Sequence, residues 1–331
     1  MNRATPTLNN KVLELEEGEV IESIAGRMRE ILSGELSRRG FVVAISGGID
    51  SSVCAALAVE ALGAKRVFGL LLPERDSSGF STDRGRQLVE HLGISHEVHD
   101  IAPTLEAIGC YRWRDEAIRR VFPDYGEAWK NKIVIRGGLE GRMNHFFLVV
   151  QNPDGEMKEE RLSLPDYLQI VAATNYKQRI RKTVEYFHAD RLNYAVIGTP
   201  NRLEYDQGFF VKNGDGSADI KPIAHLYKSQ VYALARYMGL PDEIASAIPT
   251  TDTYSLAQGQ DEFYFALPYQ QMDLALWAYN HGRAPTELAL ALGISEASAA
   301  NVYRDIESKR RATRYMHLRP ILAEPVTELS L

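Results

Sequence analysis

The stretch FVVAISGGIDSSVCAALAVEAL, residues 41–62, has the order of a buried strand, a polar glycine turn and a helix. Its first five residues form a short apolar run, typical of a parallel strand that is covered on both faces. Gly47 and Gly48 allow a tight turn with positive φ and a close approach to a ligand, and Ser51 or Ser52 is predicted to cap the helix. Because a helix N-terminus with exposed amides attracts anions, the stretch predicts a phosphate site.

Strands and helices alternate on both sides of this stretch. After a leading helix predicted over 17–39, strands are predicted at 66–72, 96–101 and 194–198, and helices at 82–92, 166–190 and 228–238. This alternation predicts an α/β fold with a doubly wound parallel sheet. In such sheets ligands bind at the carboxyl ends of the strands, where the glycine turn lies.

Composition limits the class of protein. The chain has 331 residues, of which 45% are hydrophobic and 25% charged, as in an ordinary globular protein. Its net charge of −6 argues against a general nucleic-acid surface, and Cys54 and Cys110 form no C-x-x-C pair. The first ten residues lack the apolar core of a signal peptide, and no stretch approaches the roughly 20 apolar residues of a membrane span. The cytoplasm is therefore the expected compartment.

The alternation breaks at 112–164, where an inserted β-rich lobe is predicted. Its strands are predicted at 132–135, 146–151 and 158–162, with the turn signal NPDG between the last two. The region 266–331 is predicted to be helical, with helices at 269–279, 285–292 and 296–311. We expect one domain over 1–331 that includes the lobe and this helical C-terminal region.

The loop SGGIDSS resembles the pyrophosphate loop of the N-type ATP pyrophosphatases, which cleave ATP between the α and β phosphates and transfer AMP. It lacks the lysine of the nucleotide-hydrolysing loop G-x-x-x-x-G-K-[ST]. The resemblance implies that ATP is bound by Ser46, Gly47, Gly48, Ile49, Asp50, Ser51 and Ser52. The alternative is a strand-to-helix turn without a ligand.

Three later motifs make the resemblance more specific. They are NYKQRIR at 175–181, GTPNRLE at 198–204 and FFVKNGDGSADIKPIAHLYK at 209–228. Together with the loop, and in the same order, they resemble the NAD synthetase family. The resemblance implies a Rossmann-like sheet of the ATP pyrophosphatase type, a homodimer, and an ATP-dependent amide ligase. In that reaction ATP adenylates the nicotinate carboxylate of deamido-NAD, and ammonia displaces AMP to give NAD, AMP and pyrophosphate.

The resemblance also assigns roles near the phosphates. Two negative charges about 4 Å apart repel by roughly 4 kcal/mol at an effective dielectric of 20, so a carboxylate reaches a triphosphate only with help from cations. Asp50 and Glu204 match the family's Mg²⁺ ligands, Lys228 would add a point charge, and Thr199 and Thr250 match ATP contacts. Otherwise Glu204 is a surface carboxylate, Lys228 is an exposed residue at a helix start, and the threonines are caps.

Further residues match the positions that hold deamido-NAD. They are Arg179, Lys212, Asp219 and Lys309. Asp215 is our candidate for accepting a proton from the incoming ammonium. Otherwise Arg179 lies on a solvated helix face, and Asp215 belongs to an Asp-Gly turn without a catalytic part.

Each of three more segments has two interpretations, one functional and one structural. The turn PERDSS at 73–78 meets the adenosine end of ATP or is solvated, and Phe209 and Phe210 stack on the pyridine ring or join the core. The segment 249–265, PTTDTYSLAQGQDEFYF, resembles the family's mobile second loop, which closes over ATP; otherwise it is a helix connector.

The chain also departs from the family pattern. Arg202 and Leu203 interrupt the usual Asn-Lys-Ser-Glu, and the 112–164 lobe is longer than usual, so amidation of a different small carboxylate is an alternative function. Because no glutaminase domain fits this length, nitrogen would come from free ammonia or from a separate glutaminase. A third hypothesis reads 285–311 as a helix-turn-helix of a nucleotide-binding regulator that contacts DNA, which the negative net charge opposes.

Overall fold

The structure, a computed structural model, describes residues 8–77, 79–136, 145–247, 249, 253–259, 264, 265 and 267–326. Within these residues the strands are β1 (Phe41–Ala44), β2 (Val67–Leu71), β3 (Ser95–Val98), β4 (Lys130–Arg136), β5 (His145–Gln151), β6 (Met157–Arg161) and β7 (Ala195–Val196). The helices are α1 (Glu17–Glu30), α2 (Ile49–Leu62), α3 (Gly79–Leu92), α4 (Ala102–Ala107), α5 (Cys110–Val121), α6 (Leu164–Leu192), α7 (Arg202–Gln207), α8 (Lys228–Tyr237), α9 (Asp242–Ala245), α10 (Tyr269–Asn280), α11 (Pro285–Leu292) and α12 (Glu296–His317). A π-helical turn, Ile31–Glu35, extends α1.

The central sheet is parallel, with the strand order β3–β2–β1–β7. Side chains of β1 alternate between two hydrophobic cores: Phe41 and Val43 pack with α1, α2, α3 and α8, whereas Val42 packs with residues of α4, α5 and α6. Helices therefore cover both faces, and the predicted doubly wound sheet is confirmed. The glycine turn follows β1 in the middle of this sheet, at its carboxyl edge.

The predicted lobe contains a helix as well as a sheet. All three predicted strands are present as β4, β5 and β6, which form an antiparallel sheet in that order. Residues 112–121, however, are helical and belong to α5 rather than to a β-rich segment. Tyr111, Arg114 and Ile118 are buried at helical spacing, so α5 packs one face against α6 and the core.

Segment 253–259 lies along β4. The Asn131 backbone N–H donates to Ser255 Oγ (2.9 Å), the Leu256 N–H donates to Asn131 O (3.1 Å), and the Gln258 side-chain amide donates to Ile133 O. Within the predicted second loop, the segment 253–259 is therefore bound to the lobe.

The helical C-terminal region has a core of its own. Met272, Leu276, Leu288, Val302 and Ile306 are each fully buried where α10, α11 and α12 meet. The three helices predicted in this region are present as α10, α11 and α12, and α12 extends six residues beyond the predicted end, to His317. Across the described part of the chain, none of the helices combines the length and the apolar character needed to cross a bilayer.

Candidate active site

The glycine turn after β1 lines a cavity. Gly47 has φ of 77°, and the Gly48 N–H donates to Ser46 Oγ (3.3 Å). Gly48 is the N-cap of α2, and no side chain caps the helix. The prediction that Ser51 or Ser52 caps α2 is wrong, because both lie inside its first turn and donate to Gly48 O at 3.1 and 2.8 Å. The positive end of α2 is therefore not covered by a capping side chain.

We expect Gly47→Ala to destabilise the turn and weaken ATP binding. A Cβ on Gly47 would lie 2.3 Å from Ser81 O, and φ of 77° disfavours any L side chain. The expected loss of unfolding free energy is about 1–3 kcal/mol. Gly63→Ala is a matched control, since Gly63 has the same φ but nothing within 4 Å of an added Cβ. Chemical denaturation and ATP titration calorimetry test this; equal losses of stability and affinity in the two variants would contradict it.

Asp50 and Glu204, 154 residues apart in sequence, meet beside this turn. The Lys228 ammonium donates to Asp50 Oδ2, and Asn201 Nδ2 donates to Asp50 Oδ1 (3.0 Å). The Asn201 backbone N–H donates to Glu204 Oε2 (3.1 Å). Because Asn201 and Glu204 follow β7 and Asp50 follows β1, the parallel sheet brings them to one edge. Lys228 is only 2% exposed, so it is not a solvated residue at a helix start.

Burial and neighbouring charges both act on the ionisable groups of this cluster. Burial opposes charging of Lys228, but the Asp50 and Glu204 carboxylates more than offset burial and raise the pKa of its ammonium. Burial raises the pKa of the Cys54 thiol, and the same two carboxylates raise it further.

This donor set fits Mg²⁺. In proteins the ion is held by one or two carboxylates and completes its octahedron with water and substrate phosphates. Among the described residues no group of three or more His, Cys, Asp or Glu side chains is placed to hold a metal. Asp50 and Glu204 are the two carboxylates of this cluster that could hold the ion.

Neither Asn201 nor Asp273 is assigned a role from the sequence, and both contact this cluster. Asn201 and Glu204 form a capping box at the start of α7, and the spacing N-x-x-E was a readable signal for it. Asp273 of α10 accepts hydrogen bonds from the Lys228 N–H (3.2 Å) and the Ser229 N–H (2.7 Å), and so caps α8. Burial raises the pKa of Asp273 to about 6. The Asp273 carboxylate thus caps the N-terminus of α8, and no local sequence pattern predicts this contact.

A cavity of about 700 Å³ extends from this cluster along α6. The residues of α6 that line it with a spacing of three or four are Tyr167, Val171, Thr174, Gln178, Arg181 and Glu185. At 1.5 Å per residue this wall is about 27 Å long. It runs from the end of β2, where Arg181 Nε donates to Leu72 O (3.2 Å), to the lobe, where Ile135 and Phe146 also line the cavity.

Most residues predicted to bind substrates line this cavity. They are Ser46, Gly47, Gly48, Ile49, Asp50, Ser51, Thr199, Glu204, Lys228, Arg179, Lys212, Lys309 and Asp215. Ser52 and Asp219 are not among the lining residues, and Thr250 lies outside the described residues. Asp219 accepts hydrogen bonds from the Val196 N–H (2.7 Å) and the Tyr186 hydroxyl (3.3 Å), so its carboxylate anchors β7.

The predicted dinucleotide cations Arg179, Lys212 and Lys309 are held at the cavity by hydrogen bonds. Arg179 Nε donates to Lys212 O (3.3 Å), and Lys212 Nζ donates to Tyr315 O (2.8 Å). Lys309 Nζ donates to Tyr264 O and to Asp305 Oδ2, each at 2.6 Å. These contacts hold three positive charges at the cavity, which suits an anionic substrate.

The turn at 73–78 is not a solvated turn. Glu74 and Asp76 point inward, where Lys177 Nζ donates to Glu74 Oε1 (2.9 Å) and to Asp76 Oδ2 (2.7 Å). Arg114 is a second cation on Asp76. Pro73 and Ser77 line the cavity, so this face of the turn is the one available to a nucleotide. Ser78 lies outside the described residues.

Phe209 and Phe210 both line the cavity and both pack against other rings. Phe209 stacks on Tyr264 with ring centroids 4.7 Å apart, and Phe210 meets the edge of His317 at 5.2 Å. Each therefore serves the packing while presenting an apolar face to the cavity.

Comparison with protein-family models gives a match to the NAD synthase model over residues 20–120 and 149–315. Among curated proteins, the NH(3)-dependent NAD(+) synthetase of Mesorhizobium japonicum is 55% identical over 318 residues, covering 96% of this chain and 100% of that protein. The NH(3)-dependent NAD(+) synthetase of Rhizobium meliloti is also 55% identical, covering 96% of this chain and 95% of its own. The residues between the two matched ranges, 121–148, include β4 and the start of β5.

Solved structures are similar in fold. The NMN synthetase of Francisella tularensis has a TM-score of 0.65 at 23% identity and covers 93% of this chain and 99% of its own. The NH3-dependent NAD synthetase of Campylobacter jejuni, in complex with the nitrate ion, has a TM-score of 0.59 at 21% identity and covers 94% and 100%. At these identities the likeness establishes the α/β fold alone.

Proposed function

The chain belongs to the NAD synthase family, and on that premise we propose that its cavity converts deamido-NAD, ammonia and ATP to NAD, AMP and pyrophosphate. It is an ATP-dependent ligase that forms a carbon–nitrogen bond. One observation carries the proposal: Asp50, Asn201, Glu204 and Lys228 meet beside the phosphate loop, at the edge of a cavity lined by further cations.

Binding of ATP begins at the loop. The turn at 46–51 and the uncapped start of α2 receive the pyrophosphate part, and the Lys228 ammonium offsets its negative charge. Mg²⁺, held by Asp50 and Glu204, would supply further positive charge on the phosphates when bound. With this charge balanced, the nicotinate carboxylate reaches the α-phosphorus and displaces pyrophosphate.

The acyl-adenylate then needs protection from water and a base for ammonium. Segment 253–259 is held on β4, and Thr253 and Tyr254 line the cavity, so this segment restricts the entry of water. Asp215 accepts the Val211 N–H at 2.6 Å. Burial raises the pKa of Asp215 even though the Val211 amide and Lys182 oppose this, which makes its carboxylate a stronger base.

Product analysis tests the proposal. Incubation with deamido-NAD, ATP and ammonium is expected to give NAD, AMP and pyrophosphate in equal amounts. Formation of ADP and phosphate would overturn it. Amidation of a different carboxylate is not favoured, since the curated relatives at 55% identity are named NAD(+) synthetases. In a panel of acids, ATP–pyrophosphate exchange with deamido-NAD alone would identify deamido-NAD as the substrate.

The DNA-binding hypothesis loses support from the basic end of α12. Lys309 is turned inward onto Tyr264 and Asp305. The Arg310 guanidinium forms two hydrogen bonds of 2.6 Å with the Asp206 carboxylate. Lys309 and Arg310, two of the three consecutive basic residues at 309–311 in the proposed DNA-contacting segment, therefore bind groups of the protein itself.

Further expectations from the sequence stay proposals. We propose a homodimer, the cytoplasm as compartment, and nitrogen from free ammonia or a separate glutaminase. The single domain over 1–331, with its lobe and helical C-terminal region, is likewise a prediction. Size-exclusion chromatography with light scattering tests the dimer, and substitution of glutamine for ammonium in the assay tests the nitrogen source.

A further inference from the structure

A buried ion pair lines the cavity on α6 and has no part in the scheme above. Lys182 Nζ lies 2.7 Å from Glu185 Oε2, and the two residues are 5% and 3% exposed. Buried pairs of this kind often contribute no more stability than apolar side chains of similar size. A gain in stability therefore does not by itself explain the presence of two charged side chains beside a substrate cavity.

The pair lies against the turn that carries Asp215. A Cβ added to Gly214 would lie 2.9 Å from the Gln178 Cβ, so the turn presses on α6 one helical turn before Lys182. On its other side, Lys221 Nζ donates to Gly216 O (2.6 Å). Asp215 is thus fixed between α6 and the segment that follows the turn.

The charged groups around Asp215 come from three elements. Three side chains face it from α6, namely Lys182, Arg181 and Glu185. Lys221 faces it from the segment after the turn. Within the turn itself, the uncharged Val211 N–H also faces it. Lys182 acts on Asp215 more strongly than Arg181 does. Burial raises the pKa of Glu185, and repulsion from Asp215 adds to this, so two carboxylates share the charge of Lys182.

We propose that Lys182 and Glu185 are positioning residues that set the protonation state of Asp215 for the ammonia step. The inference rests on the proposed function. In that step an N–H bond of ammonium breaks, its proton passes to an Asp215 carboxylate oxygen, and the freed lone pair attacks the acyl carbon. The carbon–oxygen bond to AMP then breaks, AMP leaves with the electron pair, and the excess proton on nitrogen passes to solvent.

The test compares two single variants by the pH profile of amide formation in single turnovers, at constant ammonium concentration. Lys182→Met removes the cation that favours the Asp215 carboxylate, so the acidic limb is expected to move to higher pH. Glu185→Gln removes the anion that competes for Lys182, so the limb is expected to move to lower pH. Opposite shifts of about half a pH unit or more are expected, and a merely structural pair would not produce them.

Controls keep the result decisive. ATP–pyrophosphate exchange without ammonium precedes the Asp215 step, so its pH profile is expected to stay unchanged in both variants. Arg27→Met removes a positive charge from the exposed surface of α1 and is expected to shift neither profile. If a single variant fails to fold, Lys182→Met combined with Glu185→Leu removes both charges of the pair, and its limb is expected to lie above that of the wild type, because the Asp215 carboxylate loses the cation that favours it.

Two outcomes of the pH profiles would overturn the inference. One is an unchanged acidic limb in the variants that fold, and the other is a shift of both single variants in the same direction. Asp215→Asn separates this inference from the proposed function. If the wild type makes NAD and Asp215→Asn keeps its rate, the inference fails while the function stands. If the wild type makes no NAD, the function itself fails.

Discussion

Asp50→Asn is expected to lower kcat/KM for ATP by about a thousandfold. Asp50 is one of two carboxylates assigned to Mg²⁺, and a charge pair about 4 Å apart is worth roughly 4 kcal/mol at an effective dielectric of 20. The asparagine side chain keeps the size of aspartate and its hydrogen-bonding capacity toward Asn201, so the loss comes from charge. Steady-state rates measured across a Mg²⁺ titration check it.

The same variant is also expected to be less stable, because the buried Lys228 ammonium loses its nearest carboxylate. Breaking a buried pair costs about 3–5 kcal/mol when nothing replaces the partner, and Glu204 reduces that loss here. The pKa of Lys228 is raised by Asp50 in the fold, so this stabilisation is present at neutral pH and disappears only as pH rises through that raised pKa. Asp83→Asn on the exposed side of α3 is the surface control. An unchanged Mg²⁺ dependence in Asp50→Asn would refute the metal assignment.

Lys228→Met is the second large effect, with an expected fall in the rate of adenylation of about a hundred- to a thousandfold. Methionine fills much of the same buried space, so the change removes a positive charge from the phosphates while leaving the packing similar. Asp50 and Glu204 then face each other without a cation, and we expect Mg²⁺ to be bound more tightly even as the rate falls. ATP–pyrophosphate exchange with deamido-NAD measures the step directly.

Lys228→Arg is the informative companion. Arginine restores the charge but presents a planar fork instead of a compact ammonium, so partial recovery is expected. An exchange rate in Lys228→Met within a few-fold of the wild type would show that the ammonium acts only as the structural partner of Asp50.

The sheet and the meeting of Asp50 with Glu204 could be predicted because they follow from local patterns. A run of five apolar residues before two glycines predicts a buried parallel strand and a turn, and such strands place their carboxyl ends together. The motif GTPNRLE follows a second strand of the same sheet, so two distant carboxylates reach one edge. The lobe strands were predictable for the same reason, since their alternation and the NPDG turn are local.

What could not be predicted depends on contacts between distant residues. Ser51 and Ser52 have the chemistry of cap residues, but the helix begins at Ile49, which moves their hydroxyls into the first turn. Glu74 and Asp76 look solvated in sequence, and their burial becomes favourable only through cations far away in the chain, Lys177 on both and Arg114 on Asp76. Asp273 lies in an apolar helix, and its role becomes visible only when α8 packs its first amides against it.

The attachment of segment 253–259 to β4 has a consequence for exchange with solvent. The Leu256 amide has its partner on Asn131, so it is released only when the edge of β4 separates from the segment. Regions that share hydrogen bonds in this way open as a cooperative unit. The rate of hydrogen–deuterium exchange at Leu256 would then report local opening at β4, a sheet edge that lies outside the ranges matched by the family model.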